Sequence, residues 1–192
     1  MALWWYRIAR GACGLLFWLT HHGVRAEGVE KLPRGAAIIC PNHTSLRDPL
    51  YMAVACGRNE PLRFMAKAEV WKSKFLGNLI ASLGAFPVRR GEADLDAIRE
   101  SINILKTGQK LLIFPEGTRV TEGKDVEAKA GAAMLAAKTG APIIPVAIVN
   151  GRKYFTPTRV IFGDPIQVTG RREQQRLAAA QVMKAIGELG CR

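Results

Sequence analysis

Cysteine is scarce in this 192-residue chain, and its four cysteines are scattered. Cys13, Cys40, Cys56 and Cys191 form no CxxC pair and show none of the spacings of a metal-ligating motif. Scattered cysteines of this kind are typical of free thiols in a reducing compartment. The sequence therefore predicts neither a disulfide framework nor a structural metal.

The chain also lacks an apolar run of membrane-spanning length. After Arg7 and Arg10, the longest apolar stretch covers residues 11–20, about half of the roughly 20 residues that a spanning helix needs. No small-x-small cleavage site follows this stretch, so a signal peptide is not expected. Later segments are shorter still, and we expect the rest of the protein to lie on one side of any membrane.

The chain also has few acidic residues. It has 16 Asp and Glu against 28 Lys and Arg, which gives a net charge of +12. Such a surface favours anionic partners, which include nucleic acid, anionic lipid, phosphorylated substrates and acidic carrier proteins. The basic residues are spread along the chain and no RRM, KH or helix-turn-helix signature occurs, so nucleic-acid binding is poorly supported. No GxSxG motif occurs either, which argues against hydrolysis through an activated serine.

The first 24 residues are apolar and rich in tryptophan. At about 100° per residue, the arginines and glycines share one helical face, and the other face carries Trp5, Ile8, Ala12, Leu15, Leu16 and Leu19. Tryptophan prefers the headgroup level of a bilayer, and Trp4, Trp5 and Trp18 bracket the segment. We predict an amphipathic helix in the membrane interface over residues 1–24 and a single domain over 25–192. The alternative is a helix docked on the domain core.

Short apolar runs alternate with longer amphipathic segments in the rest of the chain. Strands are predicted at 36–40, 62–67, 85–88, 110–114, 142–149 and 158–166, and helices at 49–57, 69–84, 92–108, 127–140 and 172–190. This alternation predicts an α/β fold, a mostly parallel central sheet flanked by helices. In the helix at 69–84, Trp71, Phe75 and Leu79 form a stripe that suits core packing or, alternatively, an acyl groove.

Three predicted strands run directly into unusual polar sequence. These sequences are PNHTSLRD at 41–48, RRG at 89–91 and PEGTR at 115–119. In an open parallel sheet, ligands bind in the crevice outside the carboxyl ends of the strands. The three loops therefore predict one shared site.

His43 and Asp48 lie five positions apart in the first loop. Imidazole is the usual general base near neutral pH, and a nearby carboxylate would fix its tautomer and stabilise the imidazolium. Asp48 followed by Pro49 also suits a helix N-cap and first helical position. The two roles can coexist, and the pair alone does not decide between them.

The other loops bring charge to the same crevice. Arginine binds phosphate through two parallel hydrogen bonds, although a solvated basic turn is the alternative for Arg89 and Arg90. In PEGTR, Glu116 and Arg119 can both face the crevice. Cys40 is a poor nucleophile because burial in an apolar strand raises a thiol pKa. A base, its orienting acid and phosphate-binding arginines beside a membrane helix suit deprotonation of a hydroxyl on a phosphorylated lipid.

The motifs also resemble those of the glycerolipid acyltransferases, in the same order over residues 36–150. NHTSLRD resembles the family's His-x4-Asp signature, GAFPVRRG its second block, FPEGTR its third and APIIPVAI its fourth. Lys129 and Gly131 are similar to a pair usually found between the third and fourth blocks. The chain departs from the pattern at Arg89, where the bacterial subgroup that acylates lysophosphatidic acid often has an acid, and at residues 126–128.

The resemblance implies acyl transfer to the sn-2 hydroxyl of lysophosphatidic acid from a thioester of acyl carrier protein or coenzyme A. His43 and Asp48 would be catalytic, with no covalent intermediate, metal or cofactor. Substrate binding is expected from Arg90, Glu116, Gly117, Thr118 and Arg119, with the arginines on the phosphate and Glu116 on a glycerol hydroxyl.

We expect a peripheral or monotopic protein on an anionic membrane surface, at the cytoplasmic face, without a nucleic-acid partner. The competing interpretations are another lysolipid, glycerol 3-phosphate or a lyso-ornithine lipid as acceptor, a basic nucleic-acid-binding protein, and an inactive membrane scaffold.

Overall fold

The computed structural model describes residues 3–21, 23–57, 61–89, 94–117, 130–150 and 156–191. The helices within these ranges are α1 Leu3–His21, α2 Asp48–Cys56, α3 Lys74–Ser82, α4 Leu95–Lys106, α5 Gly131–Thr139 and α6 Arg172–Gly190. The strands are β1 Val24–Glu27, β2 Ala37–Pro41, β3 Leu62–Lys67, β4 Ala85–Val88, β5 Lys110–Leu112, β6 Ile143–Val149 and β7 Thr158–Phe162.

The strands form one sheet in the order β1-β7-β6-β2-β5-β3-β4. Strands β2 to β6 run parallel to one another, whereas β7 is antiparallel to β6 and carries β1 parallel to itself at the edge. This arrangement confirms the predicted α/β fold with a mostly parallel sheet. It also brings the carboxyl ends of β2, β4 and β5 to the same edge, where the three polar loops begin.

The core occupies both faces of the sheet, because successive residues of a strand point to opposite sides. Ile38 and Cys40 of β2 face the side covered by α4, α5 and α6. Ala37 and Ile39 face the side covered by α1 and α2. All of β2 is buried, as expected for a central parallel strand under helices on both faces.

Helix α1 docks on the domain through one side and leaves its other side exposed. Tyr6 and Phe17 are buried, and a guanidinium nitrogen of Arg10 donates to the carbonyl of Val54 at 2.6 Å, near the C-terminus of α2. A cation is favourable there because the helix dipole is negative at that end. The alternative of a helix docked on the domain is thus observed, with Arg10 facing the domain. The predicted membrane-interface role of this helix stays a prediction.

The outward side of α1 carries many large apolar side chains, with Arg7 exposed among them. It carries Leu3, Trp4, Ile8, Leu15, Leu16, Trp18 and Leu19, each exposed. In the part of the chain that the structure describes, the helices are all too short or too polar to cross a membrane.

The single helix predicted at 69–84 is wrong. Residues Ala68–Lys72 form a 3-10 turn, and α3 begins only after Ser73, whose side chain accepts a hydrogen bond from the backbone amide of Leu76. Gly77 packs against the Trp71 ring, so closely that a Cβ there would lie 2.9 Å from it. This packing turns Phe75 outward, and 81% of its surface is exposed. Core packing of the stripe is therefore also wrong.

Strand β1 was not predicted from the sequence. This strand has only four residues, two of them charged, so it shows no apolar run. It is stabilised by its pairing with β7, where the Glu27 carboxylate accepts two hydrogen bonds from Arg159, at 2.9 and 3.0 Å.

Candidate active site

The loop that leaves β2 is joined to β6 at its first residue. The side-chain amide of Asn42 donates to the carbonyl of Ile148 at 3.0 Å and accepts from the backbone amide of the same residue at 2.6 Å. This exchange of two hydrogen bonds imitates a further rung of the β2–β6 ladder. The loop residues that follow therefore begin from a fixed point.

His43 and Asp48 form a buried pair in this loop. Nδ1 of His43 lies 2.9 Å from Oδ2 of Asp48, and Asp48 is completely buried. The backbone amides of Thr44 and Ser45 donate to the same oxygen, each at 2.7 Å. A carboxylate only accepts hydrogen bonds, so Nδ1 carries the proton and Nε2 is the nitrogen that can accept one.

The predicted N-cap role of Asp48 is wrong, although the predicted pair is present. Asp48 is the first residue of α2, and the N-cap position belongs to Arg47. The carboxylate bonds to amides that precede the helix rather than to amides inside it. Pro49 stands in the first turn, where a missing amide costs nothing.

The loop after β5 supplies the neighbours of His43. The ring of Phe114 stacks on the imidazole with a centroid distance of 3.9 Å and an interplanar angle of 22°. Oε2 of Glu116 accepts the backbone amide of His43 at 3.0 Å. Glu116 is buried, and removal of its carboxyl from water raises the pKa of that group.

Gly117 closes the turn that presents Glu116. Its amide donates to the Phe114 carbonyl at 3.0 Å, and its φ of 70° lies in the left-handed region, which other residues enter only with strain. The glycine of the PEGTR run is thus required by the backbone.

A cavity of about 330 Å³ opens beside His43. It lies between the carboxyl edge of the sheet and the helices α4 and α5, and its walls are His43, Met65, Val88, Arg89, Asp94, Ala97, Ile98, Leu112, Ile113, Phe114, Pro115, Gly117, Gly131, Ala132, Met134 and Leu135. Most of these side chains are apolar. The stripe of Trp71, Phe75 and Leu79 is not part of this wall, and its alternative role as an acyl groove stays a prediction.

The structure brings together His43, Asp48, Glu116 and Gly117 of the predicted site residues. Arg90, Thr118 and Arg119, and also Lys129 of the proposed family feature, lie outside the described residues. The roles of Asn42 and Phe114 were missed, because both depend on residues that are distant in sequence. Arg89, noted above as a departure from the family pattern, lines the cavity.

Cys40 is not available as a nucleophile in this arrangement. It lies inside β2 and is fully buried, and burial raises the pKa of its thiol to about 12. The thiolate, which is the reactive form, is therefore suppressed at neutral pH.

The chain is similar to known acyltransferases over most of its length. A family profile described as Acyltransferase matches residues 23–149. The 1-acyl-sn-glycerol-3-phosphate acyltransferase of Bacillus subtilis is 31% identical over 150 residues, which are 75% of this chain and 74% of that protein. The enzyme of the same name from Streptococcus pneumoniae is 32% identical over 85% of this chain and 63% of its own length.

A solved structure shares the fold. The crystal structure of the 1-acyl-sn-glycerophosphate acyltransferase PlsC from Thermotoga maritima superposes with a TM-score of 0.73 and 28% identity, covering 99% of this chain and 80% of the other. Since the family profile covers the buried His43–Asp48 pair and all the described loops around it, the chain belongs to the acyltransferase family.

Proposed function

We propose that this protein transfers an acyl group from a thioester of acyl carrier protein or coenzyme A to the sn-2 hydroxyl of 1-acyl-glycerol-3-phosphate, giving phosphatidic acid. The observation that carries the proposal is the buried His43–Asp48 pair at the wall of an apolar cavity. The relatives named above are 1-acyl-sn-glycerol-3-phosphate acyltransferases, which supports the same acceptor here.

The reaction needs one base and no covalent enzyme intermediate. Nε2 of His43 takes the proton of the acceptor hydroxyl while the hydroxyl oxygen attacks the thioester carbonyl carbon. The tetrahedral intermediate collapses, the carbon–sulfur bond breaks, and the leaving thiolate takes the proton back from His43. Asp48 stabilises the imidazolium that exists between these two transfers.

The cavity suits the acyl part of a lipid substrate. Its walls are mainly aliphatic and aromatic, and Met65 and Met134 are among them. Methionine side chains adapt to irregular apolar shapes. An acyl chain lying there would place its carbonyl or glycerol end beside His43.

We assign phosphate binding to Arg90 and Arg119, and further contacts with the acceptor to Gly117 and Thr118. Arg89 brings a positive charge to the cavity wall, where the Asp94 carboxylate also lies. Arginine holds phosphate through paired hydrogen bonds that a single point charge does not reproduce.

We also propose peripheral association with the cytoplasmic face of an anionic membrane. The exposed apolar side of α1 is the kind of surface that enters the headgroup region. Nε1 of Trp5 donates to Oγ of Ser82 at 2.9 Å, so α1 lies next to α3, whose Phe75, Leu76 and Leu79 are also exposed. The net charge of +12 adds attraction to anionic lipid.

The test is turnover of the purified protein in lipid micelles. Lysophosphatidic acid, another lysophospholipid, a lyso-ornithine lipid and glycerol 3-phosphate are each offered with acyl carrier protein and coenzyme A thioesters. We expect acylation of lysophosphatidic acid, and a loss of about 10² to 10⁴ in rate for His43→Ala, with the fold checked by circular dichroism. Preference for another acceptor would reject the substrate, and near-normal turnover by a folded His43→Ala protein would reject the mechanism.

A further inference from the structure

We propose that Glu116 is a positioning residue that fixes the catalytic imidazole through the backbone amide of His43, rather than a group that binds the acceptor. The inference rests on the proposed function for its catalytic meaning. It changes the role that the family resemblance implied for Glu116, which was contact with a glycerol hydroxyl.

The sheet register places Glu116 where this contact forms. Strands β2 and β5 are parallel neighbours, and Ile39 is paired with Leu112. His43 and Glu116 are separated by the same 73 positions, so both chains leave the sheet in register and the two residues lie side by side. The Glu116 carboxylate then accepts the His43 amide at 3.0 Å.

Glu116 is turned into the protein. Only 8% of its surface is exposed, and Gly117, not Glu116, is part of the cavity wall. A carboxylate that contacted the acceptor would have to present an oxygen to that cavity. The buried hydrogen bond to the loop amide is instead the kind of contact that stabilises a backbone position.

Asn42 makes the matching contact on the opposite side of the loop. Its side-chain amide is bound to Ile148 of β6 by two hydrogen bonds. Asn42, the residue before His43, is therefore held by β6. His43 itself is held by the loop that follows β5, which is the neighbour of β2 on its other side. Asp48 then fixes the next two amides, those of Thr44 and Ser45.

These contacts of the His43 loop with Glu116, Asn42 and Asp48 should affect the catalytic rate rather than the substrate affinity. A general base must lie within hydrogen-bond reach of the proton that it removes. A misplacement of about 1 Å can lower the rate roughly 10²-fold. Loss of the Glu116 contact should therefore lower kcat and leave substrate binding nearly unchanged.

The experiment compares two substitutions of similar side-chain volume. Glu116→Gln keeps an oxygen that can accept the His43 amide, whereas Glu116→Met keeps the volume and loses the acceptor. We expect the Gln variant to remain within about 3-fold of the wild type and the Met variant to lose roughly 10²-fold in kcat. The KM for lysophosphatidic acid should stay within about 3-fold of the wild-type value in both.

Asn42→Leu provides the matched change on the other side of the loop. It should also lower kcat with an unchanged KM, because it removes the two bonds to Ile148. A rise in KM for the acceptor with normal kcat in the Met variant would overturn the proposal in favour of direct substrate contact. A Gln variant as damaged as the Met variant would also overturn it, since the charge and not the acceptor oxygen would then be required.

A measurement without substrate separates this inference from the proposed function. Hydrogen exchange of the His43 backbone amide, followed by NMR on ¹⁵N-labelled protein in micelles, should be slow in the wild type and the Gln variant. It should become at least about tenfold faster in the Met variant, because the amide loses its partner. Equal exchange in all three proteins would reject the contact. Slow wild-type exchange without lysophosphatidic acid acylation would reject the function but not the contact.

Discussion

Oδ2 of Asp48 lies 2.9 Å from Nδ1 of His43 and is at the same time the acceptor for two backbone amides of the intervening loop. The other oxygen of this carboxylate is buried and has no hydrogen-bond partner among the described residues. The position of Asp48 is thus tied to the loop that carries His43.

Asp48→Asn should therefore be severe even if the protein folds. An amide has no charge to stabilise the imidazolium, and its NH2 group would replace one of the two buried carboxylate oxygens. We expect kcat to fall by about 10² to 10⁴, as for removal of the base itself. Asp96→Asn is the matched control, because the Asp96 carboxylate is exposed and forms an ion pair with Arg99 on the surface of α4. Comparable kcat values in the two variants would contradict the orienting role.

Cys40 should be inert although it lies three residues from His43. Its thiol pKa of about 12 leaves almost no thiolate at pH 8, whereas Cys191 is exposed. Iodoacetamide labelling with mass spectrometry should modify Cys191 first and Cys40 only after unfolding. Cys40→Ala should keep wild-type turnover, and a folded but inactive Cys40→Ala protein would restore a thiol mechanism.

Glu116 should make stability depend on pH in a defined direction. Because burial raises its pKa in the folded protein, the native state holds this proton at pH values where the unfolded chain has lost it. Stability from this group is therefore unaffected below the usual Glu pKa and falls as pH rises from that value through the raised one. In urea unfolding experiments, the free energy of unfolding of Glu116→Gln should increase relative to that of the wild type as the pH rises through this range.

The matched control for this pH effect is Glu173→Gln, at an exposed position in the first turn of α6. Its stability difference from the wild type should change little with pH over the same range. An advantage of Glu116→Gln that grows as the pH falls would contradict the direction of the shift.

Membrane association should depend on the outward side of α1. Burying a leucine contributes about 1.5 to 3 kcal/mol, so Leu15→Asp or Leu19→Asp should weaken binding to vesicles with anionic lipid at least about tenfold. Leu177→Asp is the control, because Leu177 is equally exposed but lies on α6. Equal sedimentation of all three variants with the vesicles would place the lipid-binding surface elsewhere.

The phosphate assignment predicts a selective change in KM. Arg90→Ala and Arg119→Ala should each raise the KM for lysophosphatidic acid about ten- to a hundred-fold, since a charge-assisted hydrogen bond contributes about 1.5 to 3 kcal/mol. Lysine at either position should restore the KM for lysophosphatidic acid only partly. The control is Arg172→Ala, at the exposed start of α6, which should change neither the acceptor KM nor the donor KM. A rise in the donor KM alone would assign these arginines to the thioester donor.

Elements with local signals could be predicted from the amino-acid pattern alone. The apolar run of β3 and the amphipathic pattern of α6 predicted both elements with the observed limits, Leu62–Lys67 and Arg172–Gly190. The His43–Asp48 spacing also sufficed, because a loop of five residues that enters a helix can return a carboxylate to the ring. The alternation of strands and helices predicted the mostly parallel sheet.

Features that depend on which strands are neighbours could not be predicted in this way and are seen in the folded protein. Glu116 reaches the His43 amide because β2 and β5 are adjacent and in register, and Asn42 reaches Ile148 because β6 lies on the other side. The strand β1 exists through its pairing with β7, and Phe75 is exposed because Gly77 faces the Trp71 ring. Periodicity in the sequence shows which residues share a face, but the partner of that face, whether core, solvent or another loop, is fixed by packing between segments far apart in the chain.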